Sequence, residues 1–270
     1  VQLVFFCGDA DLSGRYVHLA TEAGCTVIDC SGAFSADYDV PLVIPSVNPE
    51  ALEDCRPGCI IANPSPTTIS LLLVLKPLHD AVGIERVNLT VLEPVSVEGK
   101  AGIDELAGQT IALLNMQEAR NRVFPRQIAF NLLPQVGTPV YNGYTDAEMR
   151  VVWETQKVLG DAGFRLNPTS VLVPLFYGLG MAVHLESRGH LSVTDACALL
   201  SGAPGLRLHS EDVPTPVDDA TKSEVVHVGR VREDIANSQG LDLWITADNV
   251  RTAAALNAVR IAELWGKCYT

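Results

Sequence analysis

Few side chains in this sequence stand at a spacing that does chemistry unaided. Ser65 lies in the turn Asn63-Pro64-Ser65-Pro66-Thr67-Thr68, just ahead of a helix-period run. A serine acts as a nucleophile when a histidine base reaches it, and none is near along the chain. Capping the helix, with Pro66 at the first helical position, accounts for Ser65 in full. Glu93 and Glu98 make a tempting acid–base pair. An odd offset sets them on opposite faces if the strand continues, so solvated or capping roles suit them better. His79 reads as a helix C-terminal residue that satisfies carbonyls.

Seven cysteines occur, at Cys7, Cys25, Cys30, Cys55, Cys59, Cys197 and Cys268. Their odd number, irregular spacing and lack of a C-x-x-C motif predict free buried thiols in a reducing cytoplasm. Cys55 and Cys59 have no histidine or third cysteine nearby to complete a zinc site, so no metal is expected. The formal net charge of −13 would repel a phosphate backbone or an anionic membrane, and no basic run relieves it. Neither is expected as a partner.

These residues must be held by elements that the hydrophobic pattern outlines. The chain has 270 residues, 47% of them apolar, enough for one large α/β domain or two smaller ones. Its most apolar stretch, 69–75, is too short to span a bilayer. No secretory signal pattern opens it. Residues 1–6, 26–29 and 59–62 read as short buried strands, with a helix over 13–23. A helix is expected from 67 to about 79, a strand over 86–92, and another helix opening at 99–102. The stretch 124–144 is irregular. Thr145 caps a helix over 146–159, with Glu148 placed for a capping box. Strands are expected at 171–177, 225–231 and 241–246, a loop over 206–223, and a last amphipathic helix over 249–265. Alternating strands and helices imply βαβ units. A strand at residue 1 with no glycine turn ahead of it argues that the chain is a fragment.

Several segments, in order, resemble the aspartate-β-semialdehyde dehydrogenase family. They include Asp39-Val40-Pro41-Leu42-Val43 with Val47-Asn48-Pro49-Glu50, Ile61-Ala62-Asn63-Pro64, and Leu75-Lys76-Pro77-Leu78-His79-Asp80. Ile128-Ala129-Phe130-Asn131, Asn142-Gly143-Tyr144-Thr145, Val173-Pro174 with Phe176-Tyr177-Gly178, and Asp248-Asn249-Val250-Arg251 continue the match. The resemblance implies an α/β fold: a partial Rossmann domain, a parallel sheet lacking its N-terminal part, joined to an α+β dimerisation and substrate domain with a mixed sheet. The expected boundaries are 1–66 for the first, completed by 247–270, and 67–246 for the second. The first βα units, roughly 60 to 80 residues on ordinary βαβ lengths, would precede Val1.

The resemblance also assigns chemistry. The family forms a thiohemiacetal on a cysteine at a helix N-terminus, passes hydride to NADP and releases the acyl group to phosphate. The nucleophile's position is Pro66 here; the arginine for the substrate carboxylate is Leu172; the general-base histidine is Leu179. The glutamine beside the acyl group is Glu93, and a phosphate-contacting arginine is Ser35. Arg150 remains as a cation for substrate or phosphate. Cys7 and Gly8, at a strand end near the nicotinamide, and Asn257 on the last helix are the candidate cofactor contacts. Cys7 also reads as a small buried residue, and Asn257 as helix packing. With nucleophile, base and anchor gone together, the chain looks like the Usg-type paralogues, catalytically silent cytoplasmic homodimers. The other reading is an oxidoreductase that reduces a different aldehyde or oxo substrate without a thiohemiacetal. NADP is expected only in a longer parent protein, and none for this chain. The homodimer is expected to cover a large sheet whose apolar face is otherwise open; the alternative is that the chain's own helices cover these strands and a monomer is stable.

Overall fold

The computed structural model describes residues 1–269. Thr270 and the side chains of Cys268 and Tyr269 lie outside the described residues, so the closing segment 247–270 is followed to 269 and the free-thiol expectation for Cys268 is left there.

Strands β1 (Leu3–Phe6), β2 (Thr26–Asp29) and β3 (Ile60–Ala62) form a parallel sheet in that order. Parallel neighbours need a crossover, and α1 (Ala10–Glu22) supplies the first, capped by the Asp9 carboxylate that accepts from Leu12 N at 2.8 Å. The closing helix α6 (Leu256–Tyr269) returns to this sheet. It buries Ala258, Ile261 and Trp265 against Ile28, Val43 and Ile61. Each aliphatic side chain withdrawn from water here contributes roughly 1.5–3 kcal/mol before entropy is charged.

A second, mixed sheet has six strands: β4 (Ile84–Pro94), β5 (Arg165–Val173), β6 (Leu179–Ser187), β7 (Leu206–Leu208), β8 (Val226–Glu233) and β9 (Gly240–Ala247). Its order is β5-β4-β6-β9-β8-β7, parallel within the β4–β5 and β7–β8 pairs and antiparallel elsewhere. Helices α2 (Pro66–Val82), α4 (Asp146–Leu159) and α5 (Val193–Gly202) bury their apolar residues in the same core as one face of the sheet. α3 (Gly99–Leu114) and residues 124–133 build a smaller apolar cluster at the far end of β4 and β5.

Period-two burial decides the sheet's two faces. Val87, Leu89 and Val91 on β4, and Leu241, Leu243 and Ile245 on β9, point into the helix-covered core. The apolar face is therefore covered by the chain's own helices, the alternative to an open face that the sequence allowed. The other face is open: Asn88, Thr90, Thr169, His184, Arg232 and Asp242, with Ala182 and Trp244, help line a shallow hollow of about 670 Å³.

Other corrections concern local rules. Cys55 and Cys59, expected as free thiols, are joined by a disulfide with their Cα atoms 5.9 Å apart. A turn through Pro57 and Gly58, the latter at φ +91°, folds the chain back between them. Cys7 is exposed, not buried. β6, α5 and β7 are not in the sequence reading; β7 and the π-helical turn Pro216–Ala220 fall inside the expected loop 206–223. β5 begins at Arg165, not 171, and carries Pro168, which an edge strand tolerates. His79 accepts from Ile84 N at 3.1 Å through Nδ1 rather than donating to a carbonyl.

Candidate active site

The N-terminus of α2 is the centre of the arrangement. β3 delivers the chain to Asn63, and Ser65 caps the helix, its Oγ accepting from Thr68 N at 3.3 Å. Pro66 occupies the first helical position, where a missing N–H costs nothing because that group has no partner inside the helix. Glu154 of α4, 1% exposed, closes this helix end. Its Oε2 accepts from Ser65 N at 2.9 Å and from Thr68 Oγ1 at 2.7 Å. Its Oε1 accepts from Arg150 Nε at 2.6 Å. A carboxylate at a helix N-terminus is favoured by the dipole, and here the carboxylate is the protein's own.

α4 is aimed by its start. The capping box of Thr145 and Glu148 is complete, and Arg150 and Glu154 then stand one turn apart on one flank. The Arg150 guanidinium lies against Gly32, where a Cβ would come within 2.5 Å of its atoms. Gly32 is also at φ +85°, so the turn itself requires glycine there. Ser35 follows in the same loop. It is buried, donates from Oγ to Gly32 O at 3.1 Å, and accepts at its carbonyl from Lys157 Nζ at 3.1 Å.

The other candidate positions meet at the end of β4. Glu93 accepts from Thr67 Oγ1 at 2.8 Å, which ties it to the residue after Pro66. Burial pushes its carboxyl up from the ordinary range, and the Thr67 hydrogen bond pulls it partly back. Leu172 on β5 is its register partner. On the other flank Leu92 pairs with Gly180, so Leu179 stands opposite Glu93 one step on. Leu172 is buried with Val95, Leu106, Phe124 and Ile128. Its backbone is clamped to Leu133 by hydrogen bonds of 2.8 and 3.0 Å. Leu179 is fully buried in the main core. His184 lies on the other face of β6, its Nδ1 3.1 Å from Asp242 Oδ1. Glu98 is exposed, and the chain leaves the strand at Val95 in a 3₁₀ turn, so the face argument for the Glu93–Glu98 pair does not apply.

The cofactor candidates lie along the carboxyl edge of the parallel sheet. Cys7 and Gly8 follow β1. Asn257 is buried, and its Nδ2 donates to Val43 O at 3.0 Å and Asn63 Oδ1 at 2.8 Å. Asn63 Nδ2 donates in turn to Ala254 O at 3.2 Å. This amide pair pins α6 to the end of β3. Sequence reasoning missed Glu154, Asn63, Thr67 and Thr68. Glu154 had a signal: it shares a helix face with Val151 and Val158, where a buried carboxylate demands partners. Among the described residues, no group of three or more His, Cys, Asp or Glu could hold a metal, and no helix is long and apolar enough to cross a membrane.

Two sheets, the first parallel and the second mixed, with a capped helix between them, define a semialdehyde-dehydrogenase architecture. The family described as "Semialdehyde dehydrogenase, NAD binding domain" matches residues 1–55, and "Semialdehyde dehydrogenase, dimerisation domain" matches 75–252. Aspartate-semialdehyde dehydrogenase 2 of Vibrio cholerae is 49% identical over 270 residues, 100% of this chain and 80% of that protein. A crystal structure of aspartate semialdehyde dehydrogenase II from Vibrio cholerae, complexed with ASA, has a TM-score of 0.98 and covers 100% of this chain and 81% of that one. A USG-1 protein homolog of Azotobacter vinelandii is 38% identical over 265 residues, 98% of this chain and 79% of that protein. The chain belongs to the aspartate-semialdehyde dehydrogenase family.

Proposed function

We propose that this chain is a Usg-type member of the family that no longer dehydrogenates aspartate semialdehyde and persists as a cytoplasmic homodimer. The observation that carries the reading is Pro66 at the first position of α2. By the resemblance this is the nucleophile's place, and a proline there offers neither thiol nor backbone N–H. Leu172 and Leu179 support it, since neither can hold a carboxylate or move a proton, and both are buried among apolar side chains.

The division into a nucleotide-binding part, 1–66 with 247–270, and a dimerisation part, 67–246, goes with this reading. The carboxyl edge at Cys7 and Gly8 would approach NADP, and Arg150 would face an anion. The homodimer would use the open face of the six-stranded sheet. Sedimentation equilibrium at low micromolar concentration should return a dimer mass.

The decisive assay is phosphate-dependent NADP reduction with aspartate semialdehyde. The expected rate is at least about 10⁴-fold below that of an active member, and Pro66→Cys alone should not restore it, because base and anchor stay absent. A turnover near an active member's would overturn the proposal. A second reading has one observation in its favour. Glu93, pushed up by burial, would supply a proton if a different carbonyl were reduced by direct hydride transfer. NADPH oxidation with short aldehydes that is abolished in Glu93→Gln would support it.

A further inference from the structure

Two thiols lie side by side at the carboxyl edge of the parallel sheet, and nothing in the reading above uses their sulfur chemistry. Phe6 and Asp29 are register partners, and Cys30 N donates to Phe6 O at 2.8 Å. Cys7 and Cys30 continue that alignment by one residue. Strand neighbours stand about 4.8 Å apart with partners on the same face, inside the roughly 4.4–6.8 Å Cα window for a disulfide. The Cys7 thiol is near enough to help push the Cys30 thiol up. Cys7 is exposed and Cys30 half-buried. The other free thiols with described side chains differ: Cys25 donates to Val1 O at 3.1 Å, and Cys197 sits on α5.

We propose that Cys7 and Cys30 form a dithiol modification site that reacts with disulfide oxidants of the glutathione class and closes to an intrachain disulfide across the ends of β1 and β2. In the first step the Cys7 thiolate attacks one sulfur of glutathione disulfide. A Cys7–glutathione bond forms, the glutathione S–S bond breaks, and the leaving thiolate takes the proton Cys7 gave up. In the second step the Cys30 thiolate attacks the Cys7 sulfur, and the second glutathione leaves with the proton from Cys30. The two cysteines lose two electrons and one glutathione disulfide becomes two thiols, so the exchange balances.

The order follows from the surroundings. Burial first, then the neighbouring Cys7 and its hydrogen bond, then Asp29 push the Cys30 thiol up to about 12, with an Asn63 hydrogen bond pulling it back. Cys30 therefore waits as a neutral thiol while exposed Cys7 meets the oxidant. A Cys7 already in mixed disulfide can no longer charge or share its proton, which removes two of the influences holding the proton on Cys30.

The test exposes the reduced 270-residue chain to glutathione disulfide, followed by acid quench, alkylation and peptide mapping. Fragmentation must separate Cys30 from Cys25 and Cys55, because no Lys or Arg lies between them. The expected product is a Cys7–Cys30 link, reversed by excess reduced glutathione. Cys30→Ser should instead accumulate a glutathionyl adduct on Cys7. Cys7→Ser should slow modification of Cys30 by at least about tenfold. A wild-type chain that keeps the adduct on Cys7 without forming the link would overturn the proposal. So would reaction at Cys25 and Cys197 while Cys7 stays untouched. The wild-type map decides without the variants, should either fail to fold.

Discussion

The start of α2 and the end of β4 face each other across one hydrogen bond, Thr67 to Glu93, yet they differ in kind. On the α2 side Ser65, Thr68, Arg150 and Glu154 answer one another within hydrogen-bond distance. On the flanks of β4, Leu172 and Leu179 lie in the apolar clusters on either side. The polar groups on the α2 side are those the protein itself would orphan if one were lost, at full desolvation cost. A polar side chain whose partner is a ligand carries no such structural obligation. Replacing it with leucine adds buried apolar area and leaves no protein group unpaired. The contrast is between groups that the fold itself obliges to stay polar and positions on which it places no such demand.

Leu172→Arg is the harshest test of that contrast. If the β4 flank is a closed apolar cluster, the new guanidinium is buried beside Phe124 and Ile128 and should cost roughly 4 kcal/mol in urea unfolding. A cost below about 1 kcal/mol would mean that a polar pocket persists there. Glu154→Ala attacks the other side. It strips the acceptor from Ser65 N and Thr68 and the partner from Arg150, and about 3 kcal/mol of stability should go with it. Ser65→Ala removes only a cap and should cost about 1 kcal/mol. If Ser65→Ala cost more than Glu154→Ala, the carboxylate would not be the group that closes the helix.

Much of this arrangement was legible in the sequence, for identifiable reasons. Thr145, Glu148 and the span of α4 could be read because a capping box is local, its donor and acceptor three residues apart. Ser65 and Pro66 were readable for the same reason. β6 was not, although its burial alternates over much of its length. Gly180, Ala182 and Glu186 lower its mean strand preference, and pairing with β4 and β9 is what makes it a strand. The Cys55–Cys59 bond escaped because the turn at Gly58, not the spacing, closes the distance. The Glu154 network joins residues 86 and 89 positions apart, which no local rule reaches.

The mildest probe is electrostatic and falls on Glu93, where the two regions touch. Burial raises its folded-state pKa above the unfolded value, even after the Thr67 hydrogen bond has offset part of the effect. Below the ordinary carboxylate range both states hold the proton, and the group adds no pH dependence. As pH rises through the unfolded value, the unfolded chain ionises first while Glu93 keeps its proton, so stability falls. The loss stops once pH passes the folded-state value, and the penalty is then constant. Glu93→Gln keeps an acceptor for Thr67 and cannot ionise. Its stability relative to wild type should therefore be more favourable at pH 7 than at pH 4, read as the difference in urea midpoints at each pH. An offset that is the same at both values would mean that Glu93 ionises as freely as in the unfolded chain, and that the end of β4 is open to water on the side facing α2.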